Sequence, residues 1–361
     1  MACSGFHGRA SASGAMIRRD RMGDCRHANP VDFVHIQAAQ GICEALAALG
    51  IDPAPLLEET GIGAPHLDPT GAISFSALGR LTALAAIRSG RPDFGLLAGQ
   101  RTTLASLGLL GVLMRNSATV GDALLALEAH QGLLNRGAVI GIAANGALAI
   151  VSYAPYEPGA EGVALHCERA LAAIMSVLRS LCGGDCAPEE VLLARRAPSD
   201  TAPYTGFFRA PVRFEQEIAA LVFPKALLQC PIADGNPLLR RIVERRIGRL
   251  ESEIPSDVTD ALRRRLRATL THKQLSAQQV AQTMAIHRRT LSRRLRAEGT
   301  SFRSVATETR LGVAKQLLAD TDLSLAQISA TLEFSEPAAF THAFRRWTGT
   351  TPSAWRRENR A

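Results

Sequence analysis

The sequence predicts two domains of different class: an N-terminal α+β domain with a small, mainly antiparallel sheet, and a C-terminal all-α domain. The second is built from two short helix pairs joined by a longer helix. Three observations predict this. The chain has 361 residues, about twice the usual length of one domain. Its charge is divided unevenly: residues 1–256 hold 23 Lys and Arg against 24 Asp and Glu, whereas residues 257–361 hold 18 against 9. A pattern that begins at Ser276 also returns at Ser324, inside the basic part.

Composition narrows the function classes. At 47% hydrophobic and 20% charged, the chain suits packed cores and not a wholly disordered polymer. No apolar run reaches the roughly 18 residues of a bilayer span, so no membrane partner is expected. Residues 1–28 carry five arginines with no apolar stretch behind them. They read as a disordered tail, or as an over-extended start with Met16 or Met22 as the true one, and not as a secretory signal. Seven cysteines without an export signal point to reduced thiols and the cytoplasm. The formal excess of +8 lies in the last 105 residues, which suggests a polyanion partner for that part alone. Arginine supplies 38 of the 41 basic residues, so arginine richness by itself decides nothing.

The elements follow in order. Residues 31–49 predict an amphipathic helix, with Val34, Ala38, Ile42, Leu46 and Leu49 at helical spacing. A second helix follows Ser74, with Phe75, Leu78, Leu81 and Leu84 on one face, and ends at Gly90-Arg91-Pro92-Asp93. Thr119 and Asp122 form a helix-opening signal for a segment reaching Leu134. Residues 138–143 and 147–153 predict a hairpin around Asn145-Gly146. A long apolar helix covers 163–181. Residues 191–194, 212–214 and 219–223 predict strands, the last two as a second hairpin. A charged helix spans 238–253, and Ile254-Pro255-Ser256-Asp257 closes the unit.

The repeat carries the most information. Ser276-x-x-Gln279 and Ser324-x-x-Gln327 lie 48 residues apart, and each is a capping box that satisfies two orphan backbone N–H groups. Each opens a helix of barely two turns with a small residue, Ala281 or Ser329, where a second helix crosses closely. A short turn leads to a capping position at His287 or Ser335. The second helices align at an offset of 49, with the inward pair Leu291 and Leu295 matching Phe340 and Phe344. Outward positions are Arg288, Arg289, Ser292, Arg293 and Arg296 in the first copy. In the second they are Pro337, Ala338, Thr341, His342, Arg345 and Arg346. A short helix, a tight turn and a basic helix make a helix-turn-helix, whose second helix enters a DNA major groove. Arginine on one helix surface is ordinarily a solvated face. Two tandem copies, capped alike and basic on the same side, point instead to double-stranded DNA. A helix over about 304–318 would join the two helix-turn-helix motifs and set their separation.

Residues 276–356 resemble the AraC/XylS-type DNA-binding domain. The resemblance rests on Thr290-Leu291-Ser292-Arg293-Arg294-Leu295 and on Glu298-Gly299-Thr300-Ser301-Phe302. It continues in Arg310, Ala314, Leu317 and Leu318, then in Phe334-Ser335-Glu336-Pro337, Phe340, Phe344-Arg345-Arg346, Gly349 and Pro352. Gly108-Leu109-Leu110-Gly111, Gly121-Asp122-Ala123-Leu124 and Ala210-Pro211-Val212-Arg213-Phe214 are similar to the arabinose-binding-type sensor of that family. The resemblance implies a bacterial transcription regulator, a homodimer, whose first domain senses a small-molecule effector and which meets RNA polymerase if it activates. Two departures stand out. Ala285 and Glu333 occupy turn positions where the family usually has glycine, and His342 stands where it often has a base-reading arginine.

The resulting division is a disordered tail at 1–28, a sensor and dimerisation domain at 29–235, a linker helix at 236–256 and a DNA-binding domain at 257–361. The two motifs occupy about 276–297 and 324–347. Other chemistry is weaker. Cys182 and Cys186, with His166 and Cys167 upstream, lack the spacing of a zinc knuckle, so no metal or cofactor is expected. His130, His166 and Glu168 are candidates to line a pocket, but lone polar residues on helices are usually satisfied structural groups. An enzyme tethered to a DNA-binding module would need a nucleophile or metal cluster in 29–235, and none is present. A sequence-blind architectural DNA binder would want lysine-rich tails. A non-enzymatic, cytoplasmic, nucleoid-associated regulator is the expectation, with effector-binding residues unassigned.

Overall fold

The computed structural model describes residues 33–35, 37–63, 71–155, 161–233, 235–253, 258–269, 276–284 and 286–359. The tail assigned to 1–28, the domain boundary at 254–257 and Ala285 lie outside the described residues. Everything described belongs to one contact unit.

Three apolar clusters organise it. The first runs from Val34 to Ile247 and is built by β1 (Phe33–His35), α1 (Gln37–Ala48), α2 (Ala54–Glu59), β2 (Ala72–Ser74), α3 (Phe75–Ser89), α4 (Phe94–Gln100), α5 (Gly108–Arg115) and α6 (Val120–His130). It continues through β3 (Ala138–Asn145), β4 (Leu148–Pro155), α7 (Val163–Cys182), β5 (Glu190–Leu192), α8 (Ala202–Phe208), β6 (Val212–Arg213), β7 (Ala219–Pro224) and α9 (Pro237–Glu253). The predicted caps form: Ser74 accepts from the Ala77 N–H at 3.1 Å, and Thr119 and Asp122 make a reciprocal capping box. In α7, thirteen of twenty residues are buried, so this helix is the centre of the domain. Helix α4 crosses it at close range. A Cβ on Gly99 would collide with the Arg169 carbonyl oxygen, so the crossing requires glycine there.

Two sequence expectations change. The helix expected over 31–49 starts only at Gln37. Its first part is the strand β1, because Val34 pairs with Ile73 and the His35 N–H donates to the Leu134 carbonyl at 2.8 Å. The five-stranded sheet has the order β3-β4-β7-β5-β6, so the second expected hairpin does not form. Residues 219–223 are buried without alternation, which suits a central strand, and β7 pairs antiparallel with both β4 and β5. The two-residue β6 moves to the edge, parallel to β5. Helix α9, read from sequence as a linker, is anchored: Val243 and Ile247 enter the first cluster, and Glu251 Oε1 lies 2.9 Å from His130 Nδ1.

The remaining helices are α10 (Val258–Thr269), α11 (Ala277–Thr283), α12 (Arg288–Ala297), α13 (Phe302–Asp320), α14 (Leu325–Thr331), α15 (Pro337–Thr348) and α16 (Pro352–Asn359). They hold two separate clusters. Leu262, Val280, Leu291, Leu295 and Val305 centre one; Leu317, Leu318, Ile328, Phe340 and Phe344 centre the other. Helix α13 belongs to both, through Val305 near its start and Leu317 near its end. Truncating Phe344, which is fully buried, to alanine would cost about 3–5 kcal/mol.

Candidate functional site

The two motifs repeat bond for bond. In the first, the Ser276 N–H donates to Gln279 Oε1 at 2.8 Å, and the Gln279 N–H donates to Ser276 Oγ at 3.3 Å. In the second, the equivalent bonds from Ser324 and Gln327 measure 2.9 and 3.2 Å. The turn is closed by Ile286 N–H to the Ala281 carbonyl at 3.0 Å, and by Phe334 N–H to the Ser329 carbonyl at 2.9 Å. Ala281 and Ser329 are both buried at the crossing, as their small size requires. Glu333 adopts φ +57°, the left-handed conformation for which glycine is favoured, so the turn keeps its geometry without glycine.

The recognition helices differ at their starts. His287 caps α12, its Nδ1 accepting from the Arg289 N–H at 3.3 Å. Ser335 does not cap α15, contrary to the sequence expectation. Glu336 takes that position without a side-chain bond, and Pro337 opens the helix with its φ already fixed near the helical value. Leu291, Leu295, Phe340 and Phe344 point inward. Arg288, Arg289, Ser292, Arg293 and Arg296 are exposed together on α12. On α15, Pro337, Ala338, His342, Arg345 and Arg346 are exposed, and Thr341 is half-buried with its Oγ1 donating to the Pro337 carbonyl at 2.9 Å. Sequence reasoning missed the role of Glu298. Its carboxylate accepts the Val258 and Thr259 N–H groups at 3.0 and 2.8 Å and so caps α10, forty residues away. No local pattern announces that bond.

The first domain holds a cavity of about 840 Å³, counted out to its open mouth, between α1, α6, α7 and β4. Leu107, Leu127, Leu134, Ile174 and Val177 give it hydrocarbon walls, and Arg169, Tyr153, Asn135 and His35 also line it. The three pocket candidates from the sequence behave differently. His166 is fully buried; burial, and then the nearby Arg169 cation, pull its pKa well down, so the ring is neutral. Its Nε2 lies 2.8 Å from the Tyr153 hydroxyl and accepts from Arg169 Nη2 at 3.3 Å. Asn135 Nδ2 donates to the Tyr153 hydroxyl at 2.8 Å. Glu168 faces a separate set of partners: it accepts from the Leu96 N–H at 2.7 Å, the Tyr204 hydroxyl at 2.9 Å and Arg195 Nη1 at 2.5 Å. Burial raises its carboxyl pKa, and Arg195 pulls the other way. His130 serves α9, as described. Among the described residues no cluster of three or more His, Cys, Asp and Glu is arranged to hold a metal. No single described helix is long and apolar enough to cross a membrane.

Two tandem helix-turn-helix units with basic outer faces, beside an α+β domain with a cavity, define a DNA-binding transcription regulator. Comparison with known proteins agrees. Residues 50–232 match the arabinose-binding domain of AraC transcription regulators, and residues 280–358 match a helix-turn-helix domain. The regulator VirS of Mycobacterium tuberculosis is 31% identical over 327 residues, covering 88% of this chain and 94% of that protein. The ornithine utilization regulator of Pseudomonas aeruginosa is 27% identical over 329 residues, covering 90% and 96%. The crystal structure of the regulator CdpR from Pseudomonas aeruginosa is 25% identical, with a TM-score of 0.44 over 89% of this chain and 98% of that one. The chain belongs to the AraC family of transcription regulators, with an arabinose-binding-type N-terminal domain.

Proposed function

We propose that α12 and α15 enter two successive major grooves on one face of B-DNA. Contacts would come from Arg288, Arg289, Ser292, Arg293 and Arg296 in the first, and Pro337, Ala338, Thr341, His342, Arg345 and Arg346 in the second. The observation that carries this reading is the matched exposure of those residues over matched backbone bonds. Helix α13 fixes the spacing because its two ends are each built into one motif's core. The first motif reads more strongly: α12 exposes Arg288, Arg289, Arg293 and Arg296, whereas α15 exposes Arg345 and Arg346. Among these exposed side chains, arginine is the one that forks onto guanine O6 and N7.

On this reading residues 257–361 bind DNA and 29–235 sense an effector and dimerise, with 236–256 between them. A second copy is favoured by an exposed apolar group: Leu238, Leu239 and Ile242 on α9, and Leu109 and Val112 on α5, which packs against it. Two copies on one DNA make the second binding event intramolecular. The regulator would act in the cytoplasm at the nucleoid, and would meet RNA polymerase if it activates. Selecting duplexes from a random pool with the full chain, then measuring affinity across salt, tests the reading. Roughly six arginine–phosphate contacts in the basic domain give a log–log slope of about −5; a flat salt response contradicts it.

A further inference from the structure

We propose that the cavity of the first domain binds a small organic carboxylate carried on an apolar body, with the carboxylate against Arg169. This rests on the reading of that domain as an effector sensor and names the chemistry of the effector.

The argument starts from two buried arginines. Arg195 meets the Glu168 carboxylate at 2.5 Å. Arg169, one residue along α7 from that carboxylate, has no carboxylate partner among the described residues. Its residue exposure is 9%, its Nε is sealed from solvent with no hydrogen-bond partner, and its Nη2 meets a neutral imidazole. A buried cation without a counter-ion is strongly disfavoured, and this fold supplies one to the neighbouring arginine. The missing anion has a place to sit, because Arg169 lines the cavity. His35 Nδ1, on a residue that also lines the cavity, is likewise sealed and unpartnered, and Tyr153 and Asn135 add polar groups.

The remaining lining excludes other classes. Gln37, Thr102, Ser106 and Gln131 also line the cavity, but most of its accessible wall is hydrocarbon, which favours a largely apolar ligand over a pentose with oxygen on every carbon. No Asp or Glu lines the cavity among the described residues, so the ammonium of an amino acid would find no partner. What fits is one anionic end and one apolar end. The sequence holds a trace of this. Arg169, Ala173 and Val177 recur every four residues on α7, and all three line the cavity.

The test uses the full chain and four probes: decanoate and decan-1-ol, both below their self-association range, with L-arabinose and L-ornithine. Calorimetric titration should show decanoate binding at least about tenfold tighter than the alcohol, the difference one charge-assisted contact makes. Arabinose and ornithine should give no heat. Arg169→Met should keep its cooperative melting, since it removes an unpaired buried charge, and bind decanoate no better than decan-1-ol. Ala173→Phe, which fills the cavity, should lose both. Should Arg169→Met fail to fold, wild type decides through the decanoate-to-alcohol ratio. Equal affinities overturn the carboxylate while leaving the cavity an apolar effector site. Binding of arabinose or ornithine without decanoate overturns the class and keeps the sensor. Decanoate that binds as expected but leaves DNA affinity unchanged supports the site and removes the effector reading instead.

Discussion

Arg196 Nε lies 3.3 Å from the Asp322 carboxylate, and this ion pair joins the first domain to the segment that opens the second helix-turn-helix. Beside it the Asp322 N–H donates to Glu215 Oε2 at 2.5 Å, and Arg196 Nη2 donates to the Ala319 carbonyl at 3.4 Å. Arg196 follows Arg195, which holds Glu168, which precedes Arg169 at the cavity. A contiguous path of residues therefore connects cavity and motif. The pair is partly exposed and is worth about 1 kcal/mol or less. Arg196→Ala and Asp322→Asn should each leave the melting temperature nearly unchanged yet alter the DNA affinity of the full chain. A double-mutant cycle on DNA binding checks this; strictly additive effects would show that the pair transmits nothing.

Asp320 lies beside this contact. The residue is partly exposed, but its Oδ2 is sealed and has no hydrogen-bond partner. Burial lifts its carboxyl from 3.8 to about 7 against the pull of Arg195 and Arg196. The folded state therefore holds the proton to higher pH than the unfolded chain does. Its contribution to stability is complete below pH 3.8 and is lost as pH rises to about 7. Asp320→Asn should remove that slope, so the stability difference between variant and wild type grows in the variant's favour from pH 5 to pH 8. Denaturant melts at matched pH measure it, and parallel profiles would show an ordinary carboxyl.

Arg293 stands at the centre of the exposed face of α12. Replacing it by alanine should weaken operator binding by about 1–3 kcal/mol and relax preference at one base position. Competition with single-base operator variants reports this. An equal loss on every sequence would assign Arg293 to a phosphate.

Ile242 is 53% exposed on α9. If two copies pair through α9 as proposed, wild type should sediment as a dimer at micromolar concentration and Ile242→Glu as a monomer, with the melting temperature of the protomer not lowered. A variant that sediments as wild type would move the interface elsewhere.

The parts of this fold legible in the sequence are those set by neighbours along the chain. The capping boxes at Ser276 and Ser324 and the inward pairs Leu291–Leu295 and Phe340–Phe344 depend on three- and four-residue spacings, and all of them form. What was not legible depends on distant partners. Strand β6 is two residues long, so its place beside β5 is decided by the central position of β7 and not by its own pattern. Glu298 reads as a helix-end acid until Val258 arrives at its carboxylate. His166 and Glu168 stand out in sequence as polar residues on an apolar helix; in the structure Glu168 is bonded within the core, whereas His166 is partnered at Nε2 and its buried Nδ1 has no hydrogen-bond partner. Arg169, next to Glu168 on α7, carries no such signal, because the lack of a carboxylate beside it among the described residues is a three-dimensional fact.

Under the proposed function, two rigidly spaced helices read two grooves. Hydroxyl-radical footprinting of the full chain on a selected operator tests it most directly. Each protomer should leave two protected patches on one face of the duplex, centred about 34 Å apart, with Arg293→Ala weakening one and Arg345→Ala the other. A single patch per protomer, or the same protection on random-sequence DNA, would contradict it.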